Sequence, residues 1–127
     1  DRTLEFVAGS HLTGKSYRPL RFNGQALNEN DGLDMMPDID ANRDEYRIKG
    51  WALRPGDAVA FDYRTIHGAP PNNSATRQRR AFSLRLISDA ATFVRREGII
   101  TSPPFRDVTL RHGDPLDAAE FPVLLGH

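Results

Sequence analysis

Apolar and polar positions in this chain alternate or cluster in short runs; they do not recur every three or four residues. No window of a dozen residues keeps an i, i+3, i+4, i+7 apolar stripe. Runs rich in β-branched and aromatic residues are instead separated by Gly, Pro, Asn and Asp, which predicts an all-β fold with long loops and little helix. Residues 3–7 read as a strand, broken by Ala8-Gly9-Ser10-His11. Residues 46–53 read as a second strand, with Trp51 expected in the core, and Arg54-Pro55-Gly56-Asp57 has turn chemistry. Residues 58–66 are the clearest strand pattern: Val59, Phe61, Tyr63, Thr65 and His67 would share one face. Residues 79–87 form another candidate strand, and a short one is expected near Phe93. Residues 12–45 are polar loop with at most one short helix, a length that usually signals function or mobility.

Composition narrows the function classes. The 127 residues suffice for one domain, expected over 1–127. Lys plus Arg and Asp plus Glu each number 17, so no basic field favours nucleic acid or an anionic membrane. No apolar run approaches the roughly 18 residues of a membrane span. The absence of cysteine excludes disulfides, thiolate metal sites and a cysteine nucleophile, and fits a cytoplasmic protein. The chain starts in mid-pattern, at a strand, without a methionine or signal sequence, so the domain's natural beginning is expected elsewhere.

Two features could carry chemistry. His67 ends an apolar strand face and is followed by Gly68-Ala69-Pro70-Pro71, a position suited to metal ligation through a neutral imidazole nitrogen. The bland alternative is a histidine capping a strand end. Arg77, Arg79, Arg80 and Arg85 form a cluster in which a strand-borne arginine could pair bidentately with a carboxylate; the bland alternative is a solvated charged loop. Residues 38–49 resemble a calcium loop, but Arg43 stands where Gly is needed and Lys49 where Glu is needed, so an EF-hand is rejected. No Gly-x-Ser-x-Gly supports a serine hydrolase.

The ordered series Trp51-Ala52-Leu53-Arg54-Pro55-Gly56-Asp57-Ala58-Val59-Ala60-Phe61, Thr65-Ile66-His67-Gly68-Ala69, Asn72-Asn73-Ser74 and Arg79-Arg80-Ala81-Phe82-Ser83-Leu84-Arg85 resembles the C-terminal signature of the phytanoyl-CoA dioxygenase family. Gly9-Ser10-His11 is similar to that family's Gly-Ser-His segment, and Gly113-Asp114-Pro115-Leu116 and Glu120-Phe121-Pro122-Val123 to the tail of bacterial members. The resemblance implies a partial double-stranded β-helix, a cupin-like jelly roll. It also implies an Fe(II)- and 2-oxoglutarate-dependent dioxygenase that uses O2 to hydroxylate a small molecule. By position His67 matches the distal histidine of the two-histidine, one-carboxylate iron triad. Arg79 matches the arginine that holds the distal carboxylate of 2-oxoglutarate, and Ser83, on the same strand face, would add a hydrogen bond. Strand parity keeps Arg80 open as the inward arginine, because Phe82, Leu84 and Leu86 share its face. Tyr63 and Thr65 would line the pocket.

The chain departs from the family at the other two ligands. They come as a His-x-Asp pair before the Gly-Ser-His segment, and nothing with that pattern precedes Gly9. The one His-x-Asp, His112-Gly113-Asp114, follows His67 and reads as a polar turn. The chain is therefore expected to be the C-terminal part of an oxygenase domain, completed by a missing N-terminal segment or by a second copy in a homodimer. The rival reading is a catalytically inactive cupin-like module that binds a small carboxylate or a protein partner. Ser10 or His11 is expected to cap backbone groups at the strand end.

Overall fold

The first predicted strand lies in the middle of the only sheet among the described residues. A computed structural model of the chain describes residues 2–21, 23–29, 31–99, 107–117 and 121–124. β1 spans Arg2–Val7, β2 Ile48–Ala52 and β3 His67–Gly68, in the order β2-β1-β3 with both pairings antiparallel. Phe6 stands opposite Lys49 on one side and His67 on the other, and Val7 opposite Ile48. Paired residues share a face, so Phe6 and His67 project together. Phe6 is buried, at 5% exposure, and its ring meets those of Trp51 (5.8 Å), Phe61 (4.8 Å) and His67 (6.2 Å).

β1 stops where the sequence said it should. Gly9 takes φ 83°, a left-handed conformation that a side chain disfavours, and Ser10–Leu12 close one 3₁₀ turn. The long loop that follows is held by local devices. Tyr17 bridges Asp34, Leu20 bridges Ala26, and Arg18 pairs with Asp31 at 2.9 Å. The Asp38 carboxylate accepts the Ala41 N–H at 3.0 Å, leading into a 3₁₀ turn at Arg43–Glu45. Arg43 then reaches back to Glu5 on β1 at 2.7 Å. At the turn after β2 the Asp57 N–H donates to the Arg54 carbonyl (3.0 Å), the Asp57 carboxylate accepts the Arg54 N–H (2.8 Å), and Gly56 takes φ 96°.

The chain divides into two units, Asp1–Ala81 and Phe82–His127. The second has no ladder among its described residues beyond a bridge between Thr92 and Pro115. Phe93 exchanges backbone hydrogen bonds with Gly113 and Asp114, both at 2.8 Å. Arg95 lies over the Phe93 ring and donates to the carbonyl of Leu110, which is buried. His112-Gly113-Asp114 is a turn: Gly113 has φ 92° and the Asp114 carboxylate accepts the Arg111 N–H. Glu120 of the expected tail motif lies outside the described residues.

Several expectations need correction. The described residues are strand and loop with no α-helix, but the regular structure is one three-stranded sheet, well short of the eight strands of a jelly roll. Residues 58–66 are not a strand. The Asp62 carboxylate accepts the Arg64 N–H at 2.9 Å and the Asp62 carbonyl accepts the Thr65 N–H at 2.8 Å, so the chain turns before it can extend. That turn separates Tyr63, 82% exposed, from Thr65, which is buried, and neither shares a strand face with His67. Residues 79–87 are not a strand either, because no ladder partner stands beside them among the described residues. Trp51 is 51% exposed and outside the core, since β2 is an edge strand and, among the described aromatic rings, Phe6 alone meets it.

Candidate metal and co-substrate site

His67 occupies the first position of β3, with its ring edge-on to Phe61 at 4.9 Å and nearly parallel to Phe6. The imidazole Nδ1 lies 2.8 Å from the Thr65 carbonyl oxygen. A carbonyl can only accept, so Nδ1 carries the proton, and in the neutral ring Nε2 then keeps its lone pair. This is the neutral tautomer that a metal-binding histidine requires. The backbone just before it is held equally closely. The Ile66 N–H donates to Ser10 Oγ at 2.8 Å, and the Ile66 carbonyl accepts the Val7 N–H at 2.9 Å. Ser10, 6% exposed, donates its own hydroxyl hydrogen to the Val7 carbonyl at 2.8 Å. Of the two residues expected to cap the strand end, Ser10 does so; His11 has a buried Nδ1 with no partner among the described residues.

The carboxylate closest in sequence before His67 is already engaged. Both Asp62 oxygens meet the Arg64 guanidinium, at 2.7 and 3.0 Å. The Arg64 side chain, then its backbone N–H and its charge, hold the Asp62 carboxyl well below the usual carboxylate range, with a smaller contribution from His11. In turn the Asp62 carboxylate raises the Arg64 guanidinium further above its ordinary value.

The arginine cluster follows the loop that leaves β3. That loop is closed by Asn72, whose side-chain amide donates to the Arg77 carbonyl at 2.7 Å, and by Ser74, whose hydroxyl accepts the Arg77 N–H at 3.0 Å. Arg79 turns back along the loop and donates to the Pro70 carbonyl at 2.9 Å, whereas Arg80 donates locally to Gln78 at 3.1 Å. Ser83 is exposed and belongs to the second unit. With no strand at 79–87, the alternation argument between Arg79 and Arg80 has no ladder to act on.

A model of the family described as Phytanoyl-CoA dioxygenase (PhyH) matches residues 3–81, more than half of the 127-residue chain. The chain belongs to the phytanoyl-CoA dioxygenase family. No curated protein and no solved structure matches it. The matched span ends where the first unit ends, so it contains β1 from Thr3 onward, His67 and Arg79, and leaves Ser83 outside. Membership makes the chain part of an oxygenase lineage, one generally dependent on Fe(II) and 2-oxoglutarate.

The described residues do not complete the iron centre of such an oxygenase. No three His, Cys, Asp or Glu side chains among them converge on a point where an ion could sit. His67 is suited by tautomer, but both Asp62 oxygens are engaged by Arg64. A cleft of about 580 Å³ lies where β1 ends, lined by Val7, Gly9, Ser10 and Ile66 and by Tyr17 and Tyr46. His67 is not among its walls. The sequence marks the loop at 12–45 only by its length; Tyr17 within it and Tyr46 just beyond it carry no motif that picks them out. No helix among the described residues is long and apolar enough to cross a membrane.

Proposed function

We propose that this chain is the C-terminal part of a double-stranded β-helix dioxygenase that uses Fe(II) and 2-oxoglutarate, with O2, to hydroxylate a small molecule in the cytoplasm. His67 supplies one iron ligand through Nε2. Arg79 holds the distal carboxylate of 2-oxoglutarate. The remaining two iron ligands come from a His-x-Asp pair in an N-terminal segment outside these 127 residues. The observation that carries the reading is the His67 ring, whose Nδ1 is tied to a backbone carbonyl so that Nε2 is left as a lone-pair donor. The turn of Arg79 toward Pro70, three residues after His67, favours it over Arg80 as the co-substrate anchor. A second reading, an inactive module that binds a small carboxylate, is favoured by the lack of a three-ligand group among the described residues.

Anaerobic Fe(II) titration with and without 2-oxoglutarate separates the two, read by the visible charge-transfer band of the ternary complex. The comparison is between this chain and a longer one carrying an upstream His-x-Asp. A band only in the longer chain, abolished by His67→Ala, is the outcome expected. Arg79→Ala should leave iron bound and raise the 2-oxoglutarate requirement by about tenfold or more, as the loss of a charge-assisted bidentate contact does. The same phenotype from Arg80→Ala, with Arg79→Ala silent, would transfer the role to Arg80. Absence of the band in both chains, with 2-oxoglutarate still retained, would establish the inactive module instead.

A further inference from the structure

Two of the contacts beside His67 belong to one peptide group. The Thr65 carbonyl that accepts from His67 Nδ1 and the Ile66 N–H that donates to Ser10 Oγ are the two ends of the Thr65–Ile66 amide. A peptide group is planar and rigid, with rotation about its C–N bond opposed by about 18–20 kcal/mol. Fixing one end therefore fixes the direction of the other. The Ser10 hydroxyl in turn donates to the Val7 carbonyl. A continuous chain of hydrogen bonds thus runs from the imidazole N–H, through the amide, through the serine hydroxyl, to the backbone of β1. Each donor in it is also an acceptor on its other side, the arrangement in which neighbouring hydrogen bonds polarise and strengthen one another.

We infer that Ser10 is a positioning residue for His67: through the Thr65–Ile66 peptide it holds the ring in the Nδ1–H tautomer and fixes the direction of Nε2. The inference rests on the assignment of His67 as a metal ligand for its purpose, but not for its geometry. Three features make Ser10 the control point. It is 6% exposed, so water competes little for its hydroxyl. It lies 56 residues from Ile66, so the contact is tertiary and does not form by itself in a local turn. It also follows Gly9, whose left-handed conformation (φ 83°) turns the chain at the end of β1 and brings the serine back beside Val7 and Ile66. The Ile66 carbonyl, anchored by the Val7 N–H at 2.9 Å, secures the next peptide group as well, so His67 is preceded by two fixed amides.

The test reads the tautomer directly, without iron or 2-oxoglutarate. The ¹⁵N shifts of the His67 ring nitrogens are measured in the full chain labelled at histidine, at a pH where the ring is neutral. The wild-type chain should show the Nδ1–H form in excess. Ser10→Ala should lower the ratio of Nδ1–H to Nε2–H by about threefold or more, the effect of losing one neutral hydrogen bond, and Ser10→Thr, which keeps the hydroxyl, should restore it. A wild-type ring in the Nε2–H form overturns the inference with no variant needed. So does an unchanged ratio in Ser10→Ala. If Ser10→Ala does not fold, the amide of Ile66 in the wild type serves in its place: rapid exchange of that proton with solvent would show that Ser10 does not hold it. Either failure leaves the oxygenase reading intact, and a missing charge-transfer band leaves this coupling intact, so the two can fail separately.

Discussion

At the scale of single residues, the conformation of Gly9 is the most exposed to test. A Cβ there would meet open space, so Gly9→Ala introduces no clash, only the penalty of a left-handed φ of 83°. That penalty is about 1–2 kcal/mol for an L-residue. It should lower the urea midpoint with an unchanged m-value; an unchanged midpoint would mean that β1 does not need this turn. The residues of the site were legible to different degrees. His67 and Ser10 could be read because each is a side chain in a recognisable local pattern, the end of an apolar run and the Gly-Ser-His break. The Thr65 carbonyl could not, since every residue has one and only the fold selects which is used. Arg79 and Arg80 were legible as a pair of candidates, and their hydrogen bonds differ, to the Pro70 carbonyl for Arg79 and to Gln78 for Arg80.

At the scale of elements, the sequence named β1 and β2 within a few residues of their bounds and misread the approach to β3. Alternation at 58–66 is real, but a strand also needs a neighbour to receive its backbone hydrogen bonds, and Asp62 offers the chain a local alternative. The turn at 62–65 is therefore an element in its own right, held by Arg64 on Asp62, and it delivers Thr65 and Ile66 to the position where they meet His67 and Ser10. Its stability should depend on pH in a definite direction. The Asp62 carboxyl lies below its unfolded value, mainly because of its hydrogen bonds to the Arg64 side chain. The stabilisation is thus fully present above the unfolded carboxylate value near 3.9 and is lost as pH falls toward the lower folded value. Urea unfolding from pH 6 down to pH 2.5 should show a loss of stability that Asp62→Asn makes shallower. Because both partners are at the surface, about 0.5 M salt should reduce the difference between wild type and variant; a difference insensitive to salt would assign it to the backbone contacts of Asp62 instead.

At the scale of the whole molecule, many more large apolar side chains are exposed than buried among the described residues. Among the described residues only Phe6 and Leu110 are buried apolar side chains, while Phe82 is 89% exposed and Leu84, Leu86 and Ile87 are open beside it. A run of alternating apolar residues with no paired neighbour is prone to pair with another copy. The 127-residue chain alone should therefore associate with rising concentration and bind a hydrophobic dye, and Leu84→Lys should shift sedimentation toward monomer. A chain that stays monomeric at high concentration and binds no dye would contradict this. The all-β character was readable from composition and alternation. The jelly roll was not, because closing one requires partner strands that a pattern within this chain cannot supply.

The hydrogen bond from His67 to the Thr65 carbonyl has a consequence for how the site can be probed. A contact made by the main chain does not depend on which side chain stands at that position. Side-chain replacement at residue 65 therefore leaves the ring its acceptor, and a saturation mutagenesis screen would score the position by its packing. Replacing the Thr65–Ile66 amide with an ester would expose its role: the link to Ser10 is removed and the carbonyl weakened in one change, with every side chain left in place.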